Sequence, residues 1–229
     1  MILVTGHLGM IGSRLTKKLG NVVGIDIKDG HNLITCELPK GIHLIYHLAA
    51  QSSVEASWHD PVHDMDNIRM TARLVKEYPN TKIVYANSAA AQEPIMSPYG
   101  FSKKVCGDYL KTFHKQAVIC VFPNVYGEVG GKSVVDIFKN KDTVTVFGDG
   151  EQIRDYVHVD DIVDGLVLAK DWDSGEYFMG STIPTTVLAL AEGKNIVSAP
   201  ARKEARECVL PNTTPNWTPK VNVHDYLKD

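Results

Sequence analysis

The stretch MILVTGHLGMIGSRL, residues 1–15, decides the fold of this chain. An apolar run leads into Gly6, Gly9 and Gly12 at the point where a strand should pass into a helix. Glycine at these positions allows a tight turn, a close approach of the backbone to a pyrophosphate and close packing of the helix on the sheet. The amide groups at the start of the helix also attract an anion. The stretch therefore predicts a strand, a phosphate-binding turn and a helix.

An acidic residue follows at the spacing that a dinucleotide requires. Asp26 closes a second apolar run, residues 22–26, and stands twenty positions after Gly6. A carboxylate there can accept hydrogen bonds from the adenosine ribose, and it would repel a 2′-phosphate. Glycine-rich turns and strand-end aspartates also occur in α/β proteins that bind no nucleotide. The strand, the spacing and the acid together predict NAD as the cofactor, rather than NADP.

Apolar runs alternate with helical patterns through the first half of the chain. The predicted strands are residues 1–5, 22–26, 43–48, 82–87 and 117–122, and the predicted helices begin near residues 10, 64 and 99. Apolar strands separated by helices are typical of a parallel sheet that is covered on both faces. We predict an α/β fold with a doubly wound parallel sheet (Rossmann) over residues 1–123. Residues 124–229 are expected to form a small, reduced C-terminal substrate lobe, with some segments returning to the sheet.

The composition excludes several classes of protein. The 229 residues are 44% hydrophobic with a formal charge of -3, so we expect a globular core and no basic surface for nucleic acid. The four cysteines are scattered without CxxC spacing, which indicates neither a zinc site nor a disulfide framework. No apolar stretch reaches about eighteen residues, and the chain opens on a strand without a basic leader. We therefore predict no metal, no membrane association and a cytoplasmic location.

The segment SPYGFSK, residues 97–103, places Tyr99 and Lys103 four positions apart. Side chains at that spacing lie on the same face of a helix, so the lysine ammonium could lie close to the phenol and favour its ionised form. A half-buried tyrosine beside a solvated lysine would produce the same spacing. The pair alone therefore does not establish chemistry.

The motifs taken together resemble the extended short-chain dehydrogenase/reductase family, in its nucleotide-sugar epimerase/dehydratase branch. They are TGHLGMIG at 5–12, HLAAQSSV at 47–54, DNI around Asn67, KIVYANSAA at 82–90, YGFSK at 99–103, FPNVYG at 122–127 and VFGDGEQIRDYVHVDD at 146–161. The resemblance implies that Tyr99 exchanges a proton with a sugar hydroxyl, that Lys103 lowers the pKa of Tyr99, and that Ser88 orients the reacting oxygen. It also implies a set of NAD contacts: Gly6, Gly9, Met10, Ile11, Gly12, Asp26, Ile27, Leu48, Ala49, Ala50, Asn67, Tyr99 and Lys103.

Substrate contacts are implied in the second half, which is rich in glycine and proline turns such as EVGGK at 128–132. The implied contacts are Ser88, Asn124, Phe147, Arg154, Tyr156 and Arg202. Arg154 is the candidate for the diphosphate, because guanidinium suits bidentate recognition of phosphate. A salt bridge from Arg154 to Asp155 or Asp160 is the alternative, and Phe147 could equally be a buried strand aromatic.

The residues after Ser88 discriminate between reactions of this branch. Its dehydratases carry an acidic pair there, whereas this chain has Ala89 and Ala90, so elimination of water is disfavoured. We predict an NAD-dependent epimerase of a UDP-linked nucleotide sugar that works through a keto-sugar intermediate. The alternatives are an NAD-dependent oxidoreductase or dehydratase, a C6 decarboxylase, or a nucleotide-binding module without catalysis.

Two further expectations come from the resemblance. The helices over residues 64–78 and 99–115 resemble those that pair into a four-helix bundle, which implies a homodimer. The segment between Asp26 and His47 is shorter than the family's, and we expect a strand over HNLITCEL, residues 31–38.

Overall fold

The computed structural model describes residues 1–127, 131, 133–202 and 204–228. Of the predicted turn at EVGGK, only Gly131 lies within the described residues. In chain order the elements are β1 (Ile2–Thr5), α1 (Met10–Leu19), β2 (Val23–Ile25), β3 (Leu44–His47), α2 (Val54–His59), α3 (Val62–Glu77), β4 (Lys82–Ser88), α4 (Pro98–Phe113), β5 (Ala117–Phe122), β6 (Asn124–Tyr126), α5 (Val134–Lys139), β7 (Thr143–Phe147), β8 (Ile153–Arg154), β9 (Tyr156–His158), α6 (Val159–Ala169), β10 (Gly175–Phe178), β11 (Thr185–Thr186), α7 (Val187–Leu190), β12 (Asn195–Ala199), β13 (Glu207–Cys208) and α8 (Val223–Lys228).

A six-stranded sheet in the order β10-β5-β4-β3-β1-β2 forms the centre of the molecule, and every neighbouring pair of strands is parallel. The predicted doubly wound parallel sheet is confirmed. Because β2 and β3 lie on opposite sides of β1, the connections diverge there and leave a crevice at the carboxyl ends of these strands.

Both faces of the sheet are apolar, which explains why its strands read as continuous apolar runs. Successive side chains of a strand point to opposite faces, so each run supplies two cores. On one face Leu3, Ile45, Ile83 and Ile119 pack with Leu74 of α3 and Leu110 of α4. On the other face Val4, Tyr46, Val84 and Val118 pack with Leu15 of α1 and Leu166 of α6.

The second half of the chain contributes to both the sheet and a smaller lobe. Strand β10 pairs with β5 at the edge of the large sheet, and α6 packs against α1. Within the described part of the chain, three small sheets lie after residue 123, and a separate apolar cluster there includes Tyr126, Phe138 and Tyr156. The division of the chain at residue 123 remains a prediction.

The expected strand over residues 31–38 is wrong, because this segment forms turns. Asn32 Oδ1 accepts a hydrogen bond from Ile34 N at 2.9 Å, an interaction that starts a turn. Arg73 of α3 donates to the carbonyl oxygens of Leu33 and Cys36 at 2.5 and 2.6 Å. The backbone is therefore hydrogen-bonded by a distant side chain instead of by a neighbouring strand.

Among the described residues, none of the helices combines the length and the apolar character that crossing a membrane would require.

Candidate functional site

A cavity of about 540 Å³ occupies the crevice at the carboxyl ends of β1, β2 and β3. Its lining includes ten of the residues that the family resemblance assigned to NAD. They are Gly6, Gly9, Met10, Ile11, Gly12, Asp26, Ile27, Leu48, Ala49 and Ala50. The structure thus brings the glycine turn, the strand-end acid and the segment after β3 into one cavity.

The glycine turn leaves no room for side chains. Gly6 has a φ of 73°, in the left-handed region that glycine adopts without strain. A Cβ on Gly6 would lie 2.7 Å from Ala49 N, and a Cβ on Gly12 would overlap the Gly6 carbonyl oxygen. The turn is therefore a bare backbone cradle, with α1 starting directly behind it.

Asp26 joins the turn to the far end of the cavity. Its Oδ2 accepts from Leu8 N at 3.0 Å and its Oδ1 accepts from Lys28 N at 2.9 Å. Each carboxylate oxygen has a second lone pair, so both can still accept from ribose hydroxyls. The cradle and the carboxylate fit a dinucleotide with an unphosphorylated 2′-hydroxyl, as in NAD.

Tyr99 and Ser88 meet beside the end of β4. Helix α4 begins at Pro98, and Ser97 Oγ caps it by accepting from Gly100 N at 3.0 Å. A Cβ on Gly100 would overlap the Ala90 carbonyl oxygen, so glycine lets the helix approach the turn after Ser88. Burial raises the pKa of Tyr99 to about 12, and the hydrogen bond between its side chain and that of Ser88 opposes this rise.

Lys103 lies in the same buried region but points to β4. Its Nζ donates to Ala86 O at 2.7 Å and lies 4.8 Å from the centre of the Tyr85 ring. Burial lowers the pKa of Lys103 to about 8. Desolvation of the phenol dominates the pKa of Tyr99 in this structure, so the lowering of this pKa by Lys103 stays a prediction.

Asn67 supports the site from behind. Its Oδ1 accepts from Gln51 N at 2.9 Å, and its Nδ2 donates to Gln51 O at 3.2 Å and to Ser102 Oγ at 3.0 Å. These bonds tie the segment after β3 to α4. Asn67, Tyr99 and Lys103 do not line the cavity, so their contacts with NAD stay predictions.

Arg154 is buried in an ion pair. Its Nη2 donates to Glu204 Oε2 at 2.7 Å and to Ala205 O at 2.8 Å. The salt bridge that was the alternative for this residue is therefore present, with Glu204 as its partner instead of Asp155 or Asp160. Contact with a diphosphate remains a proposal.

The other substrate candidates take different places in the small lobe. The Arg202 guanidinium lies 3.7 Å from the centre of the Phe147 ring, so these two residues are together. Tyr156 is buried in the apolar cluster of the lobe. Asn124 pairs with it in register, is exposed, and donates through Nδ2 to Asp155 O at 3.3 Å.

The sequence motifs did not predict two acids near the site, Asp64 and Glu93. Asp64, buried on α3, raises the pKa of Tyr99 electrostatically, and its own pKa is raised by burial. Glu93 lies in the short loop before α4; burial raises its pKa and the nearby Arg154 lowers it. The position of Asp64 on the inner face of a helix is the sequence feature that could have predicted it.

No group of three or more potential metal ligands occurs among the described side chains.

His47 is the buried histidine closest in sequence to the cavity segment. Burial lowers its pKa to about 3, and Lys103 adds to the effect. Between pH 6.5 and 3 the unfolded chain binds a proton that the folded chain excludes, so stability falls as the pH falls. Only below the folded-state pKa does this loss level off.

We expect this histidine to cost the wild type about 2 kcal/mol of unfolding free energy between pH 7 and pH 5. Urea unfolding at the two pH values, with His47→Gln as the comparison, measures the effect, because glutamine does not titrate. An equal loss in both proteins would contradict the assignment.

Comparison with known proteins adds a family and close structural counterparts. The model of the NAD dependent epimerase/dehydratase family matches residues 2–180. UDP-glucose 4-epimerase of Mycolicibacterium smegmatis is 32% identical, over 73% of this chain and 72% of that protein. The structure of Thermotoga maritima UDP-glucose 4-epimerase with UDP-glucose superposes with a TM-score of 0.83 at 27% identity, covering 99% of this chain and 96% of that one. The Thermus thermophilus UDP-glucose 4-epimerase complex with NAD gives 0.80 at 25% identity, covering 99% and 98%.

Proposed function

The chain belongs to the NAD dependent epimerase/dehydratase family, and from this premise we propose that it interconverts UDP-linked hexoses that differ in configuration at C4. The observation that carries the proposal is the interaction of Tyr99 with Ser88, at the end of the strand whose Ala86 lines the cavity, together with a glycine turn and Asp26 that fit NAD. The relatives named above, which are UDP-glucose 4-epimerases, supply the nucleotide and the carbon.

Each side chain has a defined task in this reaction. Bound NAD supplies the hydride chemistry that no side chain can perform. Tyr99 accepts a proton from the sugar hydroxyl and returns it to the keto sugar, and Ser88 holds the reacting oxygen by a hydrogen bond. Lys103, with a pKa of about 8, is mostly protonated at neutral pH and supplies positive charge one helical turn from Tyr99. That charge opposes the burial that keeps the phenol protonated.

Elimination of water has no acid to support it at the expected place. The residues after Ser88 form a short turn of Ala89, Ala90 and Ala91. The carboxyl of Glu93 in the same loop interacts with Cys208, with the Ala205 backbone and with Arg154, all in the second half of the chain. Epimerisation needs no such acid, so the site favours it over dehydration.

The diphosphate is proposed to bind in the small lobe at Arg154. The Arg154 guanidinium pairs with Glu204 and the Arg202 guanidinium lies over the Phe147 ring, and guanidinium is the usual partner of phosphate. Glu204 would have to release Arg154 Nη2 when the phosphate arrives. The Phe147 ring beside Arg202 offers an apolar face to the nucleotide.

Proton NMR of the purified protein with NAD and UDP-glucose tests the proposal directly. We expect the anomeric signal of UDP-galactose to appear and to reach equilibrium without accumulation of reduced nicotinamide. A 4-keto-6-deoxy product would show a dehydratase, and net reduction of NAD would show a dehydrogenase. NAD binding without any change in UDP-, GDP- or dTDP-sugars would favour the binding module.

The homodimer and the cytoplasmic location also remain proposals. Helices α3 and α4 pack side by side and expose large apolar side chains, among them Val62, Met65, Phe101 and Phe113. Apolar groups on paired helices are typical of a helix-bundle interface. We expect the wild type to sediment as a dimer and Phe101→Glu to sediment as a monomer with an unchanged far-UV spectrum. A monomeric wild type would contradict the proposal.

A further inference from the structure

One buried titratable side chain, His47, has no part in the proton exchange proposed for Tyr99. It is the last residue of β3 and is 1% exposed. Its Nδ1 lies 2.9 Å from Thr5 Oγ1, and its Nε2 lies 3.1 Å from Thr71 Oγ1. Both ring nitrogens therefore have partners, one on β1 and one on α3.

The neighbouring bonds fix which nitrogen carries the proton. Thr71 Oγ1 donates its hydrogen to Asn67 O at 2.9 Å, so at Nε2 it can only accept. His47 must therefore donate from Nε2–H, and its neutral ring accepts at Nδ1 from the Thr5 hydroxyl. Thr5 Oγ1 in turn accepts from Ala49 N at 3.2 Å. Every donor in this chain of bonds has one acceptor.

At one end, this series of hydrogen bonds reaches the cofactor cavity. Ala49 lines the cavity, and its amide is held by Thr5. The backbone at Ala49 packs tightly against the glycine turn, since a Cβ on Gly6 would lie 2.7 Å from Ala49 N. Losing the bond from Thr5 to His47 would loosen the side of the cavity that Ala49 forms.

The other end reaches the helix that carries Tyr99. Asn67 Nδ2 donates to Ser102 Oγ at 3.0 Å, and Ser102 Oγ donates to Tyr99 O at 2.8 Å. The His47 ring also lies 5.5 Å from the ring of Tyr85, over which the Lys103 ammonium is placed. A change at the Nε2 side would therefore be felt by α4.

We propose that His47, neutral and protonated on Nε2, is a positioning residue that holds the Ala49 side of the NAD cavity through Nδ1 and the Tyr99 helix through Nε2. The effect of His47 on NAD affinity can be measured without substrate, whereas its effect on turnover rests on the proposed epimerase function. The two parts of the proposal can therefore fail separately.

Two conservative variants separate the interaction at Nδ1 from the interaction at Nε2. Asparagine places an amide oxygen near the position of Nδ1, and glutamine places an amide nitrogen near that of Nε2. His47→Gln should keep the bond to Thr71 and lose the one to Thr5, so we expect the Kd for NAD to rise about tenfold with kcat within about twofold of wild type. His47→Asn should do the reverse, with kcat about tenfold lower and the Kd for NAD within about twofold.

The full chain, freed of nucleotide, is titrated with NAD by calorimetry, and turnover is measured by NMR at saturating UDP-glucose. His114→Gln is the matched control, because His114 is also buried and bonds the Thr81 carbonyl oxygen at 2.8 Å, at the far end of α4. Thr71→Val also removes the interaction at His47 Nε2, so it should reproduce the effects of His47→Asn on kcat and on the Kd for NAD.

Crossed effects of the two variants would support the proposal, and so would a crossed pattern in NAD affinity alone if the wild type proved inactive toward nucleotide sugars. Equal changes of Kd and kcat in both variants, no larger than those of His114→Gln at the same thermal midpoint, would overturn it. An active wild type with unaffected variants would overturn it too, while leaving the epimerase function intact.

Discussion

Tyr99→Phe is expected to lower kcat by about 1,000-fold and to leave the Kd for NAD within about twofold of the wild-type value. The substitution removes only the hydroxyl that hydrogen-bonds to Ser88 and that is proposed to exchange the proton. The ring is buried, so its packing against the end of β4 is retained. Stopped-flow and steady-state NMR assays with UDP-glucose measure kcat, and calorimetry measures NAD binding.

Tyr46→Phe is the matched control for this experiment. Tyr46 is also fully buried, lies on β3, and its hydroxyl has no hydrogen-bond partner among the described residues. Its loss should leave kcat near the wild-type value. If Tyr99→Phe kept more than about a tenth of the activity, the proton would have to move through another group, with Asp64 the next candidate.

The four-residue spacing of Tyr99 and Lys103 could not predict the pKa of Tyr99. A helical spacing of four predicts that two side chains share a face, and Tyr99 and Lys103 are indeed both buried on α4. It does not predict where the ammonium points, because that depends on the carbonyl oxygen of Ala86, an acceptor on a different element. Desolvation of the phenol depends in turn on the packing of α4 on β4.

The sheet and the cofactor cavity were predictable because their signals are local. The strands are uninterrupted apolar runs, and the glycine spacing sets a turn within a single segment. The ion pair between Arg154 and Glu204 joins residues fifty positions apart in a region of short elements, so no periodic pattern announces it. The turns over residues 31–38 likewise depend on Arg73, whose helix is distant in sequence.

Gly12→Ala is expected to weaken NAD binding by about 100-fold or more, as far as the protein retains its fold. Gly12 has no left-handed φ that would require glycine, so the effect is one of space alone. A Cβ at this position would overlap the Gly6 carbonyl oxygen and also approach Gly6 C and His7 Cα at 2.8 Å. These are backbone atoms of the turn itself, which cannot move aside as a flexible side chain does. The turn must open, and the amides that are proposed to face the pyrophosphate would then be displaced.

Gly175→Ala separates this local effect from a general intolerance of alanine. Gly175 lies on β10 in the same sheet, and the atoms nearest to a Cβ there would be those of the Tyr177 side chain, at an ordinary distance of 3.6 Å. We expect its Kd for NAD to equal that of the wild type, whereas Gly12→Ala should show little binding by calorimetry and little NAD retained after desalting. The far-UV spectrum distinguishes a displaced turn from an unfolded chain. NAD bound with wild-type affinity by a folded Gly12→Ala protein would mean that the dinucleotide does not lie on the turn between β1 and α1, since a backbone shift large enough to accommodate the methyl group would move the very amides that are proposed to hold it.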